Sequence, residues 1–149
     1  MPDTVISQLI SQCTRPAHST LLVLDENTGD LPQNISDNAR ILTNRCDVMA
    51  LAKKQNWPCY FSDFLFDGIN SFAPDSIIYR ISKEKRVVEH ILQSAWYILP
   101  GDGQLVMAGY KNEGIKTFAK RAEAAWHCKA ELNRGDAHLH SYRFTKSTE

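Results

Sequence analysis

The hydrophobic pattern is clearest between residues 76 and 109, where two short apolar runs flank an amphipathic segment. The first run, Ser76–Ile81, is rich in β-branched residues and predicts a buried strand. The segment after it has helical spacing, and Ser82 is placed to cap its start. Its apolar residues are Val87, Val88, Ile91, Leu92, Ala95, Trp96, Ile98 and Leu99. Because Gln104–Ala108 then predicts another strand, the order indicates a parallel strand–helix–strand crossover.

Strand and helix patterns alternate along the rest of the chain as well. Further strands are predicted at Leu21–Leu24, Ala39–Thr43, Cys59–Phe61, Cys128–Leu132 and Ala137–Phe144. Further helices are predicted at Thr4–Cys13, at Leu31–Ile35, after a capping Asn44, and at Glu113–Trp126. This alternation predicts an α/β fold with a doubly wound, Rossmann-like, mostly parallel sheet and a C-terminal antiparallel hairpin. The two continuous apolar runs, Leu21–Leu24 and Ser76–Ile81, should be neighbouring central strands.

Size and composition narrow the class of protein. A chain of 149 residues predicts a single domain over residues 1–149. With 17 basic and 17 acidic side chains the chain has no net charge that would attract a nucleic-acid backbone, so any RNA contact must depend on a local cluster of basic residues. It has neither a secretory signal nor an apolar run of about 18 residues, which predicts a cytoplasmic protein without a membrane partner. Four scattered cysteines predict small core side chains in a reduced protein, and only the tail from Lys146 has a linker-like composition.

The segment Leu99–Val106, which reads LPGDGQLV, resembles the stretch before a strand in class I S-adenosylmethionine-dependent methyltransferases. Over nearly its whole length the chain is similar to the N-terminal half of the two-domain ribosomal RNA guanine methyltransferases. Those enzymes modify the exocyclic amino group of a guanine, and they resemble duplicated domains of which only the C-terminal copy is catalytic. The resemblance implies that the natural protein continues past Glu149. It also implies that the partners of this domain are the catalytic C-terminal domain and ribosomal RNA.

The cofactor positions of that family are changed in this sequence. An active copy has a glycine-rich turn after the first strand, where the backbone approaches the cofactor, and a ribose acceptor after the second. A polar-Pro-Pro-aromatic motif follows the fourth strand, where this chain has Arg-Ile-Ser-Lys at residues 80–83. The vestigial pocket positions are Asp25, Glu26, Gly29, Asn44 and Arg80. We therefore expect no catalytic residue and no cofactor in this domain, with S-adenosylmethionine bound by the C-terminal half.

Two clusters of basic residues are candidates for RNA contact. One cluster is Lys83, Lys85 and Arg86, before and in one helix. The other is Lys111, Lys116, Lys120 and Arg121 around the next helix, and the RNA-contact candidates are all of these residues except Lys111. If the helices flank one sheet edge, they could form a phosphate-binding face, whereas a solvated helix surface is the alternative. A metal site at Cys128, His138 and His140 is the weaker interpretation, and we expect none. Two rival functions stay open, namely a stand-alone methyltransferase with an atypical cofactor loop and a pure protein-interaction domain.

Overall fold

The computed structural model describes residues 19–25, 39–61, 74–134 and 138–147, which contain seven strands of one sheet and three α-helices. The strands are β1 (Thr20–Leu24), β2 (Ala39–Thr43), β3 (Cys59–Phe61), β4 (Ser76–Arg80), β5 (Gln104–Tyr110), β6 (Glu131–Arg134) and β7 (Leu139–Thr145). The helices are α1 (Cys46–Lys54), α2 (Lys85–Ile98) and α3 (Ile115–Trp126), and a 3₁₀ turn spans Lys111–Glu113.

The sheet has the order β3-β2-β1-β4-β5-β7-β6. Strands β1 to β5 are parallel, while β7 is antiparallel to both of its neighbours. The predicted mostly parallel α/β sheet and its terminal hairpin are confirmed, as is the central pairing of β1 with β4. The hairpin strands begin later than predicted, so Cys128 precedes β6 rather than lying in it. Strand order reverses between β1 and β4, and ligands of such sheets bind beyond the carboxyl ends at this point.

Helices cover both faces of the sheet because side chains alternate along each buried strand. Leu21 and Val23 lie in the core cluster that α2 and α3 cover. Leu22 and Leu24 lie in the cluster that contains α1. The predicted helical stripes supply these contacts, and their fully buried members are Val48, Ala52, Val88, Ile91, Leu92, Ala95, Ile115, Phe118, Ala119 and Ala122. Since α2 and α3 cover one face and α1 covers the other, the sheet is doubly wound as predicted.

Both predicted helix caps are wrong. Helix α2 begins with Glu84 at the N-cap, without a side-chain cap, and Ser82 lies two residues earlier. The Ser82 hydroxyl accepts the Glu84 N–H at 3.3 Å, but it also donates to a carboxylate described below. In α1 the N-cap is Arg45, whose N–H donates to the Thr43 hydroxyl at 3.1 Å, while Asn44 is exposed. At α1 a neighbouring hydroxyl therefore accepts the N–H of the N-cap residue, whereas at α2 the predicted residue accepts an N–H but lies outside the N-cap position.

The C-terminal end of α2 is held by Lys146, which was predicted to begin a linker. Its Nζ donates to the carbonyl oxygens of Trp96 and Leu99, both at 2.8 Å. A lysine at this position satisfies the last carbonyls and complements the helix dipole. Trp96 itself is only half-buried, and its ring stacks on that of Trp126 with the centroids 4.2 Å apart. Lys146 therefore belongs to the folded domain.

The prediction that the cysteines are core side chains holds only in part for the three that the structure describes, because Cys59 and Cys128 pack against the core clusters without being fully buried. Cys13 lies outside the described residues. Cys46 is exposed, and Cys59 and Cys128 are half-buried. Burial raises the pKa of the Cys59 thiol, and the charge of Lys53 partly offsets that rise. Burial, followed by the charge of Glu123, also raises the pKa of the Cys128 thiol.

Several sequence predictions fall on residues outside the described ranges. They are the helices at Thr4–Cys13 and Leu31–Ile35, and residues 135–137, which contain part of the predicted hairpin turn and the first residue of the predicted strand Ala137–Phe144. Within the described ranges, no helix is both long and apolar enough to cross a bilayer.

Candidate functional site

The switch point between β1 and β4 carries a hydrogen-bond cluster, which we call the Asp25 cluster. Asp25 directly follows β1, and its Oδ2 accepts hydrogen bonds from the Tyr79 hydroxyl at 2.9 Å and the Ser82 hydroxyl at 2.7 Å. Tyr79 is fully buried in β4, beside Val23 of β1 in the sheet register. The aspartate at the first vestigial pocket position is therefore bonded to side chains from the fourth strand.

On the other side of β4, Arg80 and Glu113 form a buried ion pair. One guanidinium nitrogen of Arg80, Nη1, lies 2.8 Å from Oε1 and 2.7 Å from Oε2 of Glu113, and it also donates to the carbonyl of Ile81. Both side chains are below a tenth exposed. Glu113 in turn accepts the backbone N–H of Tyr110 at 2.8 Å, and Arg80 lies over the Tyr110 ring, 5.6 Å from its centroid. The pair thus ties the end of β4 to the end of β5.

A glycine in β5, Gly109, permits the backbone of β5 to lie close to the residue that follows β4. A Cβ placed on Gly109 would lie 2.5 Å from Cγ1 of Ile81, far inside van der Waals contact. Ile81 follows β4, and its N–H donates to the carbonyl of Ala108 at 2.9 Å. The backbone of β5 therefore passes against the residue that follows Arg80, which places Glu113 within reach of the guanidinium.

An open cleft of about 660 Å³ lies at the carboxyl ends of β4 and β5. We call it the β4–β5 cleft, and its lining residues are Lys83, Tyr110, Lys111, Asn112, Glu113 and His138. The N–H of Lys111 donates to the carbonyl of His138 at 2.8 Å, so the end of β5 and the segment before β7 form one wall. Lys83 comes from the loop between β4 and α2.

The predicted pocket positions are only partly brought together. Asp25 and Arg80 lie on opposite sides of β4, each with its own partner, and Asn44 is exposed at the end of β2. Glu26 and Gly29 lie outside the described residues. The sequence analysis missed Tyr79 and Glu113, the partners of Asp25 and Arg80. A lone arginine inside an apolar strand is the signal that a buried carboxylate must lie nearby.

The predicted RNA-contact residues separate into two places. Lys83 lines the β4–β5 cleft, whereas Lys85 and Arg86 are exposed in the first turn of α2. The residues predicted on α3 are all exposed, and they are Lys116, Lys120 and Arg121. The Nη1 of Arg121 lies 2.7 Å from a carboxylate oxygen of Glu89 on α2, so the two helices do flank the same face of the sheet. That ion pair already engages one of the six predicted cations.

The candidate metal residues have different environments. His138 is exposed and His140 is buried, although they are two positions apart. The ring of His140 makes an edge contact with that of Tyr142, with the centroids 6.2 Å apart. Among the described residues, no three His, Cys, Asp or Glu side chains come together as a metal-binding group.

Comparison with known proteins finds this fold in methyltransferases. No protein-family model and no curated protein matches the chain. The 16S rRNA N2 guanine methyltransferase RsmC of T. thermophilus, solved with AdoMet and guanosine, is 19% identical with a TM-score of 0.76, and the match covers 99% of this chain and 40% of that chain. The fibrillarin pre-rRNA processing protein of Methanococcus jannaschii is 11% identical with a TM-score of 0.65, covering 99% and 76%.

A third similar structure is an rRNA methylase of Streptococcus thermophilus, which is 10% identical with a TM-score of 0.63. That match covers 99% of this chain and 97% of the methylase. The present chain thus spans 40% of the RsmC chain but nearly all of a smaller enzyme. At these identities the comparisons establish the fold, a Rossmann-like domain of the class I methyltransferase type.

Proposed function

We propose that the chain is a methyltransferase-like domain without methyl-transfer activity of its own, acting as the N-terminal half of a two-domain rRNA guanine methyltransferase. It packs against and stabilises the catalytic C-terminal half, and it helps to position ribosomal RNA. The observation behind the proposal is that the polar side chains described on both sides of β4 are bonded to one another. S-adenosylmethionine does not fit this arrangement, for the following reasons.

The position after the fourth strand has the wrong chemistry for gripping an amine. In the family that the chain resembles, a polar side chain and a backbone carbonyl accept the N–H groups of the guanine and orient its lone pair. Arg80 has only donors, so it cannot accept an N–H from an amino group. Its guanidinium is also bound to Glu113 and below a tenth exposed. The residues that follow, Ile81 and Ser82, are buried and offer no aromatic ring.

The position after the first strand is occupied as well. A cofactor that needed Oδ2 of the Asp25 carboxylate would compete for it with the Tyr79 and Ser82 hydroxyls. A buried hydroxyl that loses its partner costs about 1–3 kcal/mol, so the exchange gives the ligand little net free energy. The Asp25 cluster therefore favours a domain that keeps the fold of a methyltransferase but not its cofactor site.

Two comparisons bear on the size of the natural protein. RsmC acts on rRNA and is more than twice as long as the matched region, which supports a parent protein with a second domain. The Streptococcus methylase matches almost end to end, and this supports the alternative that the chain is a stand-alone methyltransferase. The side chains around Arg80 weigh against the alternative. Sequencing the gene beyond the codon for Glu149 separates them, because only the two-domain protein continues into a second copy with a glycine-rich turn and an Asn-Pro-Pro-aromatic motif.

The direct test of the silent-domain proposal is isothermal titration of the 149-residue chain with S-adenosylhomocysteine. We expect no binding at sub-millimolar concentration. The matched variant is Tyr79→Phe/Ser82→Ala, which removes both hydroxyls from Asp25 and should still not bind, because Arg80 and the glycine-poor turn are unchanged. Micromolar binding by the unmodified chain would overturn the proposal in favour of the stand-alone enzyme. Binding by the variant alone would show that the Asp25 cluster by itself excludes the cofactor.

A further inference from the structure

We infer that the β4–β5 cleft binds single-stranded RNA, with Lys83 and Lys111 on phosphate oxygens and a base against the ring of Tyr110. This inference rests on the proposed function, because it identifies where such a domain holds RNA. It differs from the two helix surfaces that the sequence suggested. Lys83 is one of the predicted RNA-contact residues, and Lys111 belongs to the second of the two basic clusters that the sequence contains.

The charge of the cleft is positive because its carboxylate is neutralised. Glu113 is bound to Arg80 beneath the surface, so among the described residues that line the cleft, the ammonium groups of Lys83 and Lys111 are the formal charges that face solvent. Both lysines are exposed, and neither has a side-chain hydrogen bond or ion pair with another described residue. In a chain with equal numbers of acidic and basic residues, a local positive cleft is the kind of feature that can hold a phosphodiester.

The shape of the cleft is fixed by contacts that do not depend on a ligand. The Lys111 N–H bond to the His138 carbonyl holds one wall, and the Tyr110 N–H bond to Glu113 holds the floor. The His138 imidazole lies on the same wall and can donate an N–H to a phosphate oxygen. A site whose lysines stand on fixed backbone loses less entropy when it orders a ligand.

Tyr110 gives the cleft an aromatic surface. Its ring is half-buried at the end of β5, with the Arg80 guanidinium 5.6 Å from the centroid, so the ring is held in place beside the lysines. Proteins that bind single-stranded RNA combine a positive groove with aromatic rings on which bases stack. Paired bases cannot reach such a ring, which is why the inferred ligand is single-stranded.

The first experiment measures anisotropy of a fluorescein-labelled, unstructured RNA oligonucleotide titrated with the chain at several salt concentrations. Lys83→Glu/Lys111→Glu should weaken binding about ten-fold or more, and the slope of log affinity against log salt should fall by about 1.4 for two lost single-strand contacts. The control variant is Lys53→Glu/Lys54→Glu at the end of α1, which makes the same change of charge on exposed residues elsewhere. It should bind within about two-fold of the unmodified chain, because distant surface charges are screened.

The second experiment measures the contribution of the Tyr110 ring to RNA binding separately from that of the lysine charges. Tyr110→Leu should weaken RNA binding about ten-fold, whereas Tyr110→Phe keeps the stacking surface and should bind as the unmodified chain does. Circular dichroism and thermal melting of each variant show that it is folded before its affinity is compared. Equal affinity of Tyr110→Leu and Tyr110→Phe for the RNA would show that no base stacks on the Tyr110 ring.

The remaining outcomes of the binding experiments test where the RNA binds and whether it is single-stranded. The absence of RNA binding by the unmodified chain at sub-millimolar concentration, or an equal loss in the α1 control, overturns the inference. If Lys85→Glu/Lys120→Glu weakens binding and the cleft variant does not, the RNA lies on the helix surface and the proposed function survives without the cleft. Tighter binding of a duplex of equal length rejects the single-stranded ligand. Titration with S-adenosylhomocysteine tests the proposed function separately, since cofactor binding would overturn that function without affecting the RNA measurement.

Discussion

The two sides of strand β4 use their polar groups in different ways. On the β1 side, one carboxylate accepts two hydroxyl donors, and the described side chains form a hydrogen-bond cluster. On the β5 side, the buried Arg80–Glu113 pair supports a cleft whose lysines face solvent. Both sides are polar and both lie at the carboxyl ends of parallel strands, where ligands of such sheets bind, yet among the described residues only the second side presents unengaged charge. A fold identifies where a site can be, but the hydrogen-bond partners of its side chains decide whether a ligand can use it.

The largest expected effect comes from breaking the ion pair on the β5 side. Glu113→Leu leaves the Arg80 guanidinium buried without its carboxylate, and it should lower the free energy of unfolding by about 3–5 kcal/mol. Arg80→Met/Glu113→Leu removes both charges and should recover much of that loss, since a well-packed apolar pair needs no desolvated charge. Urea denaturation of the single and double variants measures both values. A loss below about 1 kcal/mol in the single variant would mean that Arg80 reaches water and is not held by Glu113.

A smaller effect is expected where β5 passes the residue after β4. Gly109→Ala places a methyl group 2.5 Å from Cγ1 of Ile81, and overpacking of this kind costs about 1–3 kcal/mol. In Ile81→Ala the opposing atoms are absent, so adding Gly109→Ala should cost little more. The coupling free energy between the two substitutions, measured by chemical denaturation, should therefore equal the free energy that the clash costs in Gly109→Ala. Additive effects would show that the two strands do not touch at this point.

The β1 side should respond more weakly still. Tyr79→Phe removes one hydroxyl from Asp25 while Ser82 keeps donating, so the expected loss of unfolding free energy is about 1–1.5 kcal/mol. Tyr97→Phe makes the same chemical change on a ring that is 85% exposed, and it should leave stability unchanged. Thermal melting of the two variants side by side gives the comparison. Equal melting temperatures would mean that the Tyr79 hydroxyl does not stabilise the domain.

The sheet could be predicted because the burial of each strand and helix is encoded in the residues of that element alone. Runs such as Leu21–Leu24 and stripes such as that of α2 encode which faces are buried, and short connections between them allow few topologies. The two continuous apolar runs predicted that β1 and β4 are neighbours, whereas the positions of the other parallel strands come from the structure. Among the predicted strands that the structure describes, some ends were misplaced by a few residues, as at the start of β7 at Leu139.

The site was harder to predict because its partners are distant in sequence. The sequence put Asp25 and Arg80 at the ends of the first and fourth strands, but Tyr79 and Glu113 bind them only in the register that the folded sheet creates. The Ser82 cap failed for the same reason, because the hydroxyl that a local rule assigned to a helix lies against a carboxylate 57 residues away. Local rules find the strand ends, whereas pairing across them depends on tertiary structure.

The smallest expected effect on stability is at the open cleft itself. The side chains of Lys83 and Lys111 are exposed and make no hydrogen bond or ion pair with another described residue, so Lys83→Ala/Lys111→Ala should change the free energy of unfolding by less than about 0.5 kcal/mol. Removing two neighbouring cations could even stabilise the domain slightly, because like charges repel. Urea denaturation at low and high salt measures both effects. A loss above about 1 kcal/mol would show that the two lysines stabilise the folded domain, as Arg80 does. The polar groups on the two sides of β4 would then differ in their arrangement, and both sets would be engaged within the protein rather than accessible to a ligand.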